Sequence, residues 1–359
     1  ARAPSKRRLN QVRTMTKIAD VIAHLESVAP PVYQEGYDNA GLIVGNAQQE
    51  CTGVITCLDS TEAVIEEAVA QGCNLVVAHH PIVFKGLKRF NGRTYVERVV
   101  MSAIRNNVAI YAIHTNLDNV YAKGVNAEIA QRLGLVNTRI LAPKANLHQA
   151  TVWVSATEAD GLKDAILKAG QGAQTPGTSV RQLSVGARPK GGVSIQLEVI
   201  YPVHLQGAVR SSIATHESAD AVYTPITNQN PLVGSGMVGD LPKPLEEMTF
   251  LKHLKESLKV GCVKYTPLRN EPIKTVALCG GAGGFLLRNA IGAKAQVFVT
   301  ADYKYHEFFD ADGKIIIADV GHYESEQFTI DLLATIIREK FGNFAVRLTE
   351  VNTNPVSYL

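Results

Sequence analysis

The sequence has few cysteines, and their spacing excludes several kinds of site. The five cysteines, at positions 51, 57, 73, 262 and 279, include no pair separated by two residues. Zinc ribbons, zinc knuckles and thioredoxin-like redox sites all need such pairs. We therefore expect reduced, mostly buried thiols in a cytoplasmic protein.

The sequence also lacks long apolar runs and is poor in aromatic residues. No apolar run approaches the roughly 18 to 20 residues of a membrane-spanning helix. Hydrophobic residues make up 46% and aromatic residues 6% of the 359 residues, which is typical of α/β proteins and not of disordered or membrane chains. A chain of this length is expected to hold two or three domains.

A broad positive charge is missing too, although the formal net charge is +3. Residues 1–14 carry five basic and no acidic residues, and without them 31 basic residues face 33 acidic ones, a net charge near −2. The rest of the chain therefore lacks the basic surface that nucleic-acid binding requires, and we expect no nucleic-acid partner. We expect 1–14 to be a disordered basic tail or residues added upstream of Met15, with a short phosphate-binding arm as the alternative.

Strand and helix patterns alternate in the first and last thirds of the chain. Such alternation is typical of right-handed βαβ crossovers and a largely parallel sheet. In the first third we predict strands at 53–59, 74–80 and 108–115 and helices at 61–72, 93–107 and 125–135. In the last third we predict strands at 273–281, 295–302, 314–321 and 344–351 and helices at 245–259, 285–293 and 323–341.

The middle of the chain follows a different pattern. Residues 145–243 contain the strand, helix, strand and helix patterns of an α+β unit, and 228–244 has the glycine and proline content of a linker. We therefore predict an α/β fold with two similar α/β halves, 15–144 and 244–359, which form one core with mainly parallel sheets. The domain at 145–243 is inserted between them.

Polar residues cluster after the predicted strands. In parallel sheets, ligands bind beyond the carboxyl ends of the strands. Five of the ten histidines fall in four such loops. The candidate site residues there are His79, His80, His114, Asp118, His306, His322 and Glu326.

Several of these residues have the chemistry and spacing of metal ligands. His322 and Glu326 are four residues apart at the start of a predicted helix and therefore lie on one face. Pro81 keeps His80 out of regular helix geometry, so a turn there lets His79 and His80 face one cavity. Imidazoles with two carboxylates suit Zn²⁺, Mn²⁺ or Fe²⁺, and a carboxylate can bridge two such ions.

Each candidate also has a structural alternative. A histidine at a strand end is usually hydrogen-bonded in place, Glu326 can interact with the helix dipole, and Asp118 can cap a turn. Their occurrence together favours a metal site. The glycine-rich loop 279–284 has two interpretations, a backbone nest for phosphate or the close packing of a tight strand-to-helix turn.

Six motifs occur in an order that resembles a known family. They are YDNAGLIVG, VVAHHPIVF, IYAIHTNLDNV, VALCGGAGG, TADYKYHE and ADVGHYESE, and the resemblance covers 15–140 and 228–355. Together they resemble the dinuclear-metal-centre family of Ngg-interacting factor 3-like proteins. Its bacterial members carry the name GTP cyclohydrolase 1 type 2 homolog.

The resemblance implies a site and an assembly. The implied ligands of two divalent ions per subunit, either Zn, Fe or Mn, are His79, His80, Asp118, His322 and Glu326. It also implies that His114, Lys304 and His306 lie next to the metals or face a substrate, with the two histidines moving protons. Family members are toroidal homohexamers, and the middle segment is similar to their PII-like, ferredoxin-like insert.

The implied function is that of a metal-dependent hydrolase of the GTP cyclohydrolase 1 type 2 kind, acting on a nucleotide-like or phosphoester small molecule. The alternative is a metal-binding protein without turnover that serves as a regulator, metal chaperone or interaction partner. The inserted segment departs from the family pattern, because no cysteine lies between positions 74 and 261, and its role stays open.

Overall fold

The computed structural model of the protein describes residues 15–170, 178–187, 193–342 and 344–359. The predicted basic tail 1–14 lies outside the described residues. All five cysteines lie inside them, and none forms a disulfide. Within the described residues, no helix has the length and apolar character needed to cross a membrane.

Strands and helices alternate along most of the described residues. The strands are β1 Gly41–Val44, β2 Val54–Cys57, β3 Leu75–Ala78, β4 Ala109–Ala112, β5 Val136–Lys144, β6 Leu147–Val154, β7 Ser179–Ala187, β8 Val193–Pro202, β9 Asp220–Pro225, β10 Asn230–Leu245, β11 Lys264–Tyr265, β12 Ile273–Leu278, β13 Val297–Thr300, β14 Ile316–Asp319 and β15 Val346–Leu348. The α-helices are α1 Ile18–Val28, α2 Glu62–Ala70, α3 Tyr95–Arg105, α4 Thr115–Asp118, α5 Val125–Arg132, α6 Ala159–Gly170, α7 Gln206–Ala214, α8 Glu247–Ser257, α9 Leu287–Gly292, α10 His322–Glu326 and α11 Thr329–Lys340.

The first sheet has five strands in the order β1-β4-β3-β2-β15. All of its pairings are parallel except that of β1 with β4. Its three central strands are buried on both faces, which explains their continuous apolar runs. On β3, Val76 and Ala78 face a core formed with α2 and α3, whereas Leu75 and Val77 face a second core.

The second sheet has six strands in the order β11-β14-β13-β12-β10-β5. Strands β12, β13 and β14 pair in parallel, and the three remaining pairings are antiparallel. Val297 and Val299 of β13 enter the same core as Leu75 and Val77 of the first sheet. The two sheets therefore share one core, and the predicted α/β fold class is confirmed.

The linker predicted at 228–244 is wrong, because most of it forms β10, a strand of 16 residues. β10 pairs with β5 on one side and with β12 on the other. Its glycines permit this tight packing, since a Cβ at Gly234 would lie 2.2 Å from the carbonyl oxygen of Ala142. Pro242 and Pro244, which have no N–H to donate, lie in the stretch where the register with β12 shifts.

The single helix predicted at 323–341 is divided into α10 and α11. Phe328 lies between them with a buried side chain, and the guanidinium of Arg132 lies 3.4 Å from its ring centroid. The division separates α10, which carries His322 and Glu326, from α11, which packs against β2 and β15.

A third sheet contains four strands in the order β7-β8-β6-β9, all paired antiparallel. Helices α6 and α7 share an apolar core with it through Leu162, Ile166, Val209 and Ile213. The element order β-α-β-β-α-β is that of ferredoxin-like units. The domain boundaries given above stay a prediction.

Candidate metal centre

Six of the seven candidate side chains meet between the carboxyl ends of the two larger sheets. They form overlapping groups whose nitrogen and oxygen atoms lie within 4.8 Å of one another. We call these six side chains the cluster: His79 and His80 after β3, His114 and Asp118 after β4, and His322 and Glu326 in α10 after β14.

His79 is completely buried at the end of β3. Its Nδ1 lies 2.9 Å from the carbonyl oxygen of Ile113, and because a carbonyl can only accept, Nδ1 carries the proton and donates. Nε2 points into the cluster, 3.6 Å from Oδ1 of Asp118 and 3.8 Å from Oε1 of Glu326. A backbone carbonyl fixes this ring in the orientation that a metal ligand needs.

His80 and His322 are held in the same way, but by carboxylates. Nδ1 of His80 lies 2.8 Å from Oδ1 of Asp59, and Nδ1 of His322 lies 2.7 Å from Oδ2 of Asp302. Their Nε2 atoms converge on Oε2 of Glu326 at 3.0 and 3.1 Å and lie 3.3 Å from each other. The turn before Pro81 thus lets both adjacent imidazoles face one site, as the sequence predicts.

Glu326 lies at the centre of the cluster and is 2% exposed. Its Oε1 faces His79, and its Oε2 faces His80 and His322. Two groups of three side chains therefore share this one carboxylate. We call His79, Asp118 and Glu326 the inner group and His80, His322 and Glu326 the outer group.

Two polar atoms of the inner group lack a partner. Nε2 of His79 and Oδ1 of Asp118 are buried and make no hydrogen bond within the part of the chain that the structure describes. Such atoms cost free energy unless a ligand satisfies them. A divalent cation would satisfy both at once, because an imidazole nitrogen and a carboxylate oxygen can each donate an electron pair to a metal.

The carboxylates and imidazoles of the cluster shift each other's pKa values. Burial and the charge of Glu326 raise the pKa of Asp118 to about 7. Burial acts to lower the pKa of His80 and His322, but hydrogen bonds and charges of neighbouring carboxylates outweigh it and raise these values to about 9 and about 11. Burial acts to raise the pKa of Glu326, yet the charge of His322 holds it well below its ordinary value. In the metal-free protein, the positive charges of protonated His80 and His322 therefore stabilise the negative charge of Glu326.

These observations fit a metal site with nitrogen and oxygen ligands. Three imidazoles with fixed Nδ1 atoms and two carboxylates suit Zn²⁺, Fe²⁺ or Mn²⁺. The side chains that fix the rings are of the kind that supports metal-bound histidines in proteins. The cluster thus has the composition and the geometry to hold metal.

His114 lies at the edge of the cluster with its own carboxylate partner. Its ring centroid is 5.3 Å from those of His79 and His80. Its Nδ1 lies 2.8 Å from Oδ1 of Asp38, whose Oδ2 accepts hydrogen bonds from the backbone and hydroxyl of Thr115. Burial acts to raise the pKa of Asp38, but these bonds lower it to about 2. The pair has the arrangement of an oriented proton-transfer histidine.

His306 is the one candidate that does not join the cluster. It is exposed on a 3₁₀ turn, Tyr305–Ala311, where its ring stacks on Phe309 at 6.4 Å between centroids. Lys304, just before that turn, is 86% exposed and faces Glu307. The proton-transfer role of His306 stays a prediction.

The glycine-rich loop 279–284 packs against the cluster at Glu326. The N–H groups of Gly280, Gly281 and Gly283 donate to side chains of the protein itself, at 2.9 to 3.0 Å. A Cβ at Gly281 would lie 2.5 Å from Oε1 of Glu326. Since these donors are already used, the loop favours the close-packing interpretation over a phosphate nest.

The sequence does not indicate which carboxylates orient the imidazoles, although Asp302 is one of the polar residues that follow the predicted strands. Asp38, Asp59 and Asp302 each hold one Nδ1 atom. Asp59 follows β2 at the same sheet edge as the cluster, so the strand-end rule contained the signal for it. Asp38 precedes β1, which is antiparallel to β4, and only its occurrence in the motif YDNAGLIVG could have indicated it.

Among the described residues, two cavities with largely different linings border the cluster. One of about 210 Å³ is lined by His114, Asp118 and Glu326 and by the aromatic rings of Tyr37 and Phe285. The other, of about 510 Å³, opens on the outer group. Its lining includes His80, His322, Asp59, Asp302, Asn354 and Tyr358.

Comparison with known proteins identifies the family. The sequence model of the Duf34/NIF3 (NGG1p interacting factor 3) family matches residues 16–355. The chain belongs to this family. The match covers all six motifs, so the resemblance noted from the sequence is confirmed.

Individual Duf34/NIF3 relatives cover nearly the whole chain. The GTP cyclohydrolase 1 type 2 homolog of Staphylococcus epidermidis is 29% identical over 95% of this chain and 100% of its own length. The homolog of the same name from Halalkalibacterium halodurans is 29% identical over 94% of this chain and 98% of its own length. The crystal structure of a Bacillus cereus protein related to NIF3 aligns with a TM-score of 0.81 at 28% identity and covers 96% of this chain and 100% of that one.

Proposed function

We propose that this chain binds two divalent metal ions and hydrolyses a small nucleotide-like or phosphoester substrate. The observation that carries the proposal is the shared carboxylate of Glu326, whose two oxygens face two separate groups of ligands. The inner group would hold one ion and the outer group the other. The two bacterial relatives described above are named GTP cyclohydrolase 1 type 2 homolog, which supports the reaction class.

Ions bound in the cluster supply Lewis acidity, which polarises a substrate and makes water more acidic. The protein's own residues orient the site. Asp59 and Asp302 hold the rings of the outer group by Nδ1, and the carbonyl of Ile113 holds His79. These bonds keep the Nε2 atoms aimed inward.

His114 would transfer protons in this proposal. Because Asp38 fixes its Nδ1, its Nε2 is left to exchange a proton with a molecule in the cavity of about 210 Å³ that His114 lines. Tyr37 and Phe285 in the same lining offer aromatic surface to a planar ring. We keep His306 as a second candidate for proton transfer, at the exposed rim.

Turnover by metal-loaded protein tests the proposal. Zinc-, iron- and manganese-loaded protein is incubated with nucleoside triphosphates and with phosphoesters, and products are followed by chromatography. Turnover that His322→Ala abolishes and that His216→Ala retains supports the hydrolase, because His216 lies in the third-sheet unit and contacts Ser212. The absence of turnover with every metal contradicts it.

One observation favours a second function, the storage or delivery of metal without turnover. His322 and Asp302 are 37% and 52% exposed, so the outer group is open to solvent and its ion could exchange. Rapid transfer of one of two ions to a chelator, together with no turnover on any substrate, supports this alternative.

A toroidal homohexamer completes the proposal. Tyr305 and Phe309 are 74% and 68% exposed in the single chain, as side chains at a subunit contact are. Light scattering of the purified protein tests the assembly. A mass of six chains supports the hexamer, and a monomer at micromolar concentration contradicts it.

A further inference from the structure

The two groups of the cluster differ in what fixes their histidines. His79 of the inner group is held by a backbone carbonyl inside the core. His80 of the outer group is held by the Asp59 side chain, which is itself 37% exposed. A half-exposed carboxylate can rotate unless its second oxygen is also fixed, so the bond from His80 Nδ1 to Asp59 depends on what holds Oδ2 of Asp59.

The irregular segment 349–358, which follows β15, provides that contact. The hydroxyl of Thr353 donates to Oδ2 of Asp59 over 2.9 Å, while Oδ1 of the same carboxylate faces His80. A continuous path of two hydrogen bonds therefore runs from Thr353 to a ring of the outer group. Thr353 is half-buried, so water competes with this bond only in part.

The next residue contacts the opposite wall of the site. Nδ2 of Asn354 donates to Oε1 of Glu324 over 2.8 Å. Glu324 is buried in α10, between His322 and Glu326. Two consecutive residues thus connect the first sheet, which carries His80, with the helix that carries the remaining ligands of the outer group.

The segment approaches α10 closely at a further point. A Cβ at Gly321, whose φ is +92°, would meet first the carboxylate of Glu324 and then, at 2.9 Å, the hydroxyl of Tyr358. The residue before His322 is therefore a glycine in a conformation that lets the segment pack against the start of α10.

We propose that the 349–358 segment positions the outer metal group through Thr353 and Asn354 and leaves the inner group unaffected. The inference rests on the proposed dinuclear site. It assigns Thr353 as a positioning residue, which acts on the metal through Asp59 and His80. In the described part of the chain, the segment makes no hydrogen bond or ion pair to His79 or Asp118, the two inner ligands that the outer group does not share.

The same segment contains a matched control. Thr349 donates its hydroxyl to Oε2 of Glu67 in α2, so it makes the same kind of bond as Thr353 but away from the cluster. Thr349→Val and Thr353→Val therefore remove equivalent groups from one segment. Thr353→Ser keeps the hydroxyl and serves as the conservative variant.

Titration of metal-free protein with Co²⁺, followed by its visible absorption, tests the inference without an activity assay. His79→Ala and His322→Ala first assign the binding steps to the inner and outer groups. We expect Thr353→Val to weaken the outer step about threefold to tenfold, less than the 10- to 100-fold typical of direct partners of metal ligands. The inner binding step of Thr353→Val should keep the Co²⁺ affinity of the unchanged protein. Both binding steps of Thr353→Ser and of Thr349→Val should also keep it.

The outcomes separate this inference from the proposed function. Suppose that the unchanged protein binds two Co²⁺. The positioning role is then overturned if Thr353→Val alters neither binding step, or if Thr353→Val and Thr349→Val alter both steps alike. The dinuclear site stands in either case. If the unchanged protein binds fewer than two ions, both proposals are overturned. Circular dichroism of each variant confirms that a changed step does not reflect unfolding.

Discussion

Nε2 of His80 lies 3.0 Å from Oε2 of Glu326, although the two residues are 246 positions apart in the chain. His80 follows a strand of the first sheet, and Glu326 belongs to the helix after β14 of the second. The site therefore exists only when both sheets share their core. Neither half contains a complete inner or outer group, because Glu326 is common to both, although a third group of imidazoles, His79, His80 and His114, lies within the first half.

The carboxylates that orient the imidazoles should control metal affinity. Asp59→Asn and Asp302→Asn replace the acceptors of the His80 and His322 Nδ1 protons with weaker ones. We expect each variant to lower the affinity of the outer group about 10- to 100-fold in a metal titration. Asp312→Asn is the control, since Asp312 pairs with Lys314 at the surface. Equal losses in all three variants would point to a general charge effect.

Metal binding should release protons and strengthen as the pH rises. In the metal-free protein the pKa of His80 is about 9 and that of His322 about 11, so both rings are protonated at pH 7 and must lose a proton to bind metal. Calorimetric titration in two buffers of different ionisation enthalpy counts the protons. We expect at least one proton released at the outer group at pH 7. A heat that is independent of the buffer contradicts this expectation.

The stability of the metal-free protein should change in the opposite direction. The pKa of His80 is raised from 6.5 to about 9 on folding, so its contribution to the free energy of unfolding is complete below pH 6.5. That contribution is lost as the pH rises towards 9. We expect urea midpoints of metal-free protein to fall between pH 6.5 and pH 9. Metal-loaded protein, in which Nε2 of each bound imidazole carries no proton and the ring is neutral, should show a smaller change.

The glycine at position 281 should be required for the cluster. Gly281 has a φ of +61°, and an added Cβ would lie 2.5 Å from Oε1 of Glu326, so Gly281→Ala strains the backbone and displaces the shared carboxylate. We expect loss of both ions by metal analysis and a lower melting temperature. Gly284→Ala is the matched control in the same region, because its nearest neighbour would lie 3.7 Å away. Full metal content in Gly281→Ala would show that the carboxylate can move without loss of the site.

The pair of His114 and Asp38 should affect turnover more than metal binding. Asp38→Asn leaves the cluster's ligands in place but weakens the bond that orients His114 Nδ1. If the protein turns over a substrate, we expect a loss of about 10²-fold in kcat, at the lower end of general acid–base contributions, with two ions still bound. Loss of metal in this variant would instead make His114 part of the metal site.

The cluster could be predicted from the sequence because it obeys a simple rule. The buried strands before His79, His114 and the HYESE segment are continuous apolar runs, and polar residues at their ends are visible without a structure. The four-residue spacing of His322 and Glu326 also places them on one face, as predicted, because α10 is helical over that turn. What each imidazole contacts through Nδ1 could not be read, since Asp59 and Asp302 are distant from their partners in sequence.

The two wrong predictions about the fold, the linker at 228–244 and the single helix at 323–341, have a common cause. The glycines and prolines of β10 are typical of a linker, but here β5 and β12 pack so closely on this strand that glycine is required at Gly234. Similarly, the helical pattern continues through Phe328, whose burial at the division between α10 and α11 depends on Arg132 from another helix. Both features depend on neighbours that local sequence does not specify.

Metal analysis of protein purified without chelator tests the central claim most directly, with unchanged protein measured beside Glu326→Gln. The variant keeps the shape of the side chain but removes the charge that both groups share. We expect about two ions per chain in the unchanged protein and fewer than one in the variant. Fewer than one ion per chain in the unchanged protein, or the same content in both proteins, would contradict the claim.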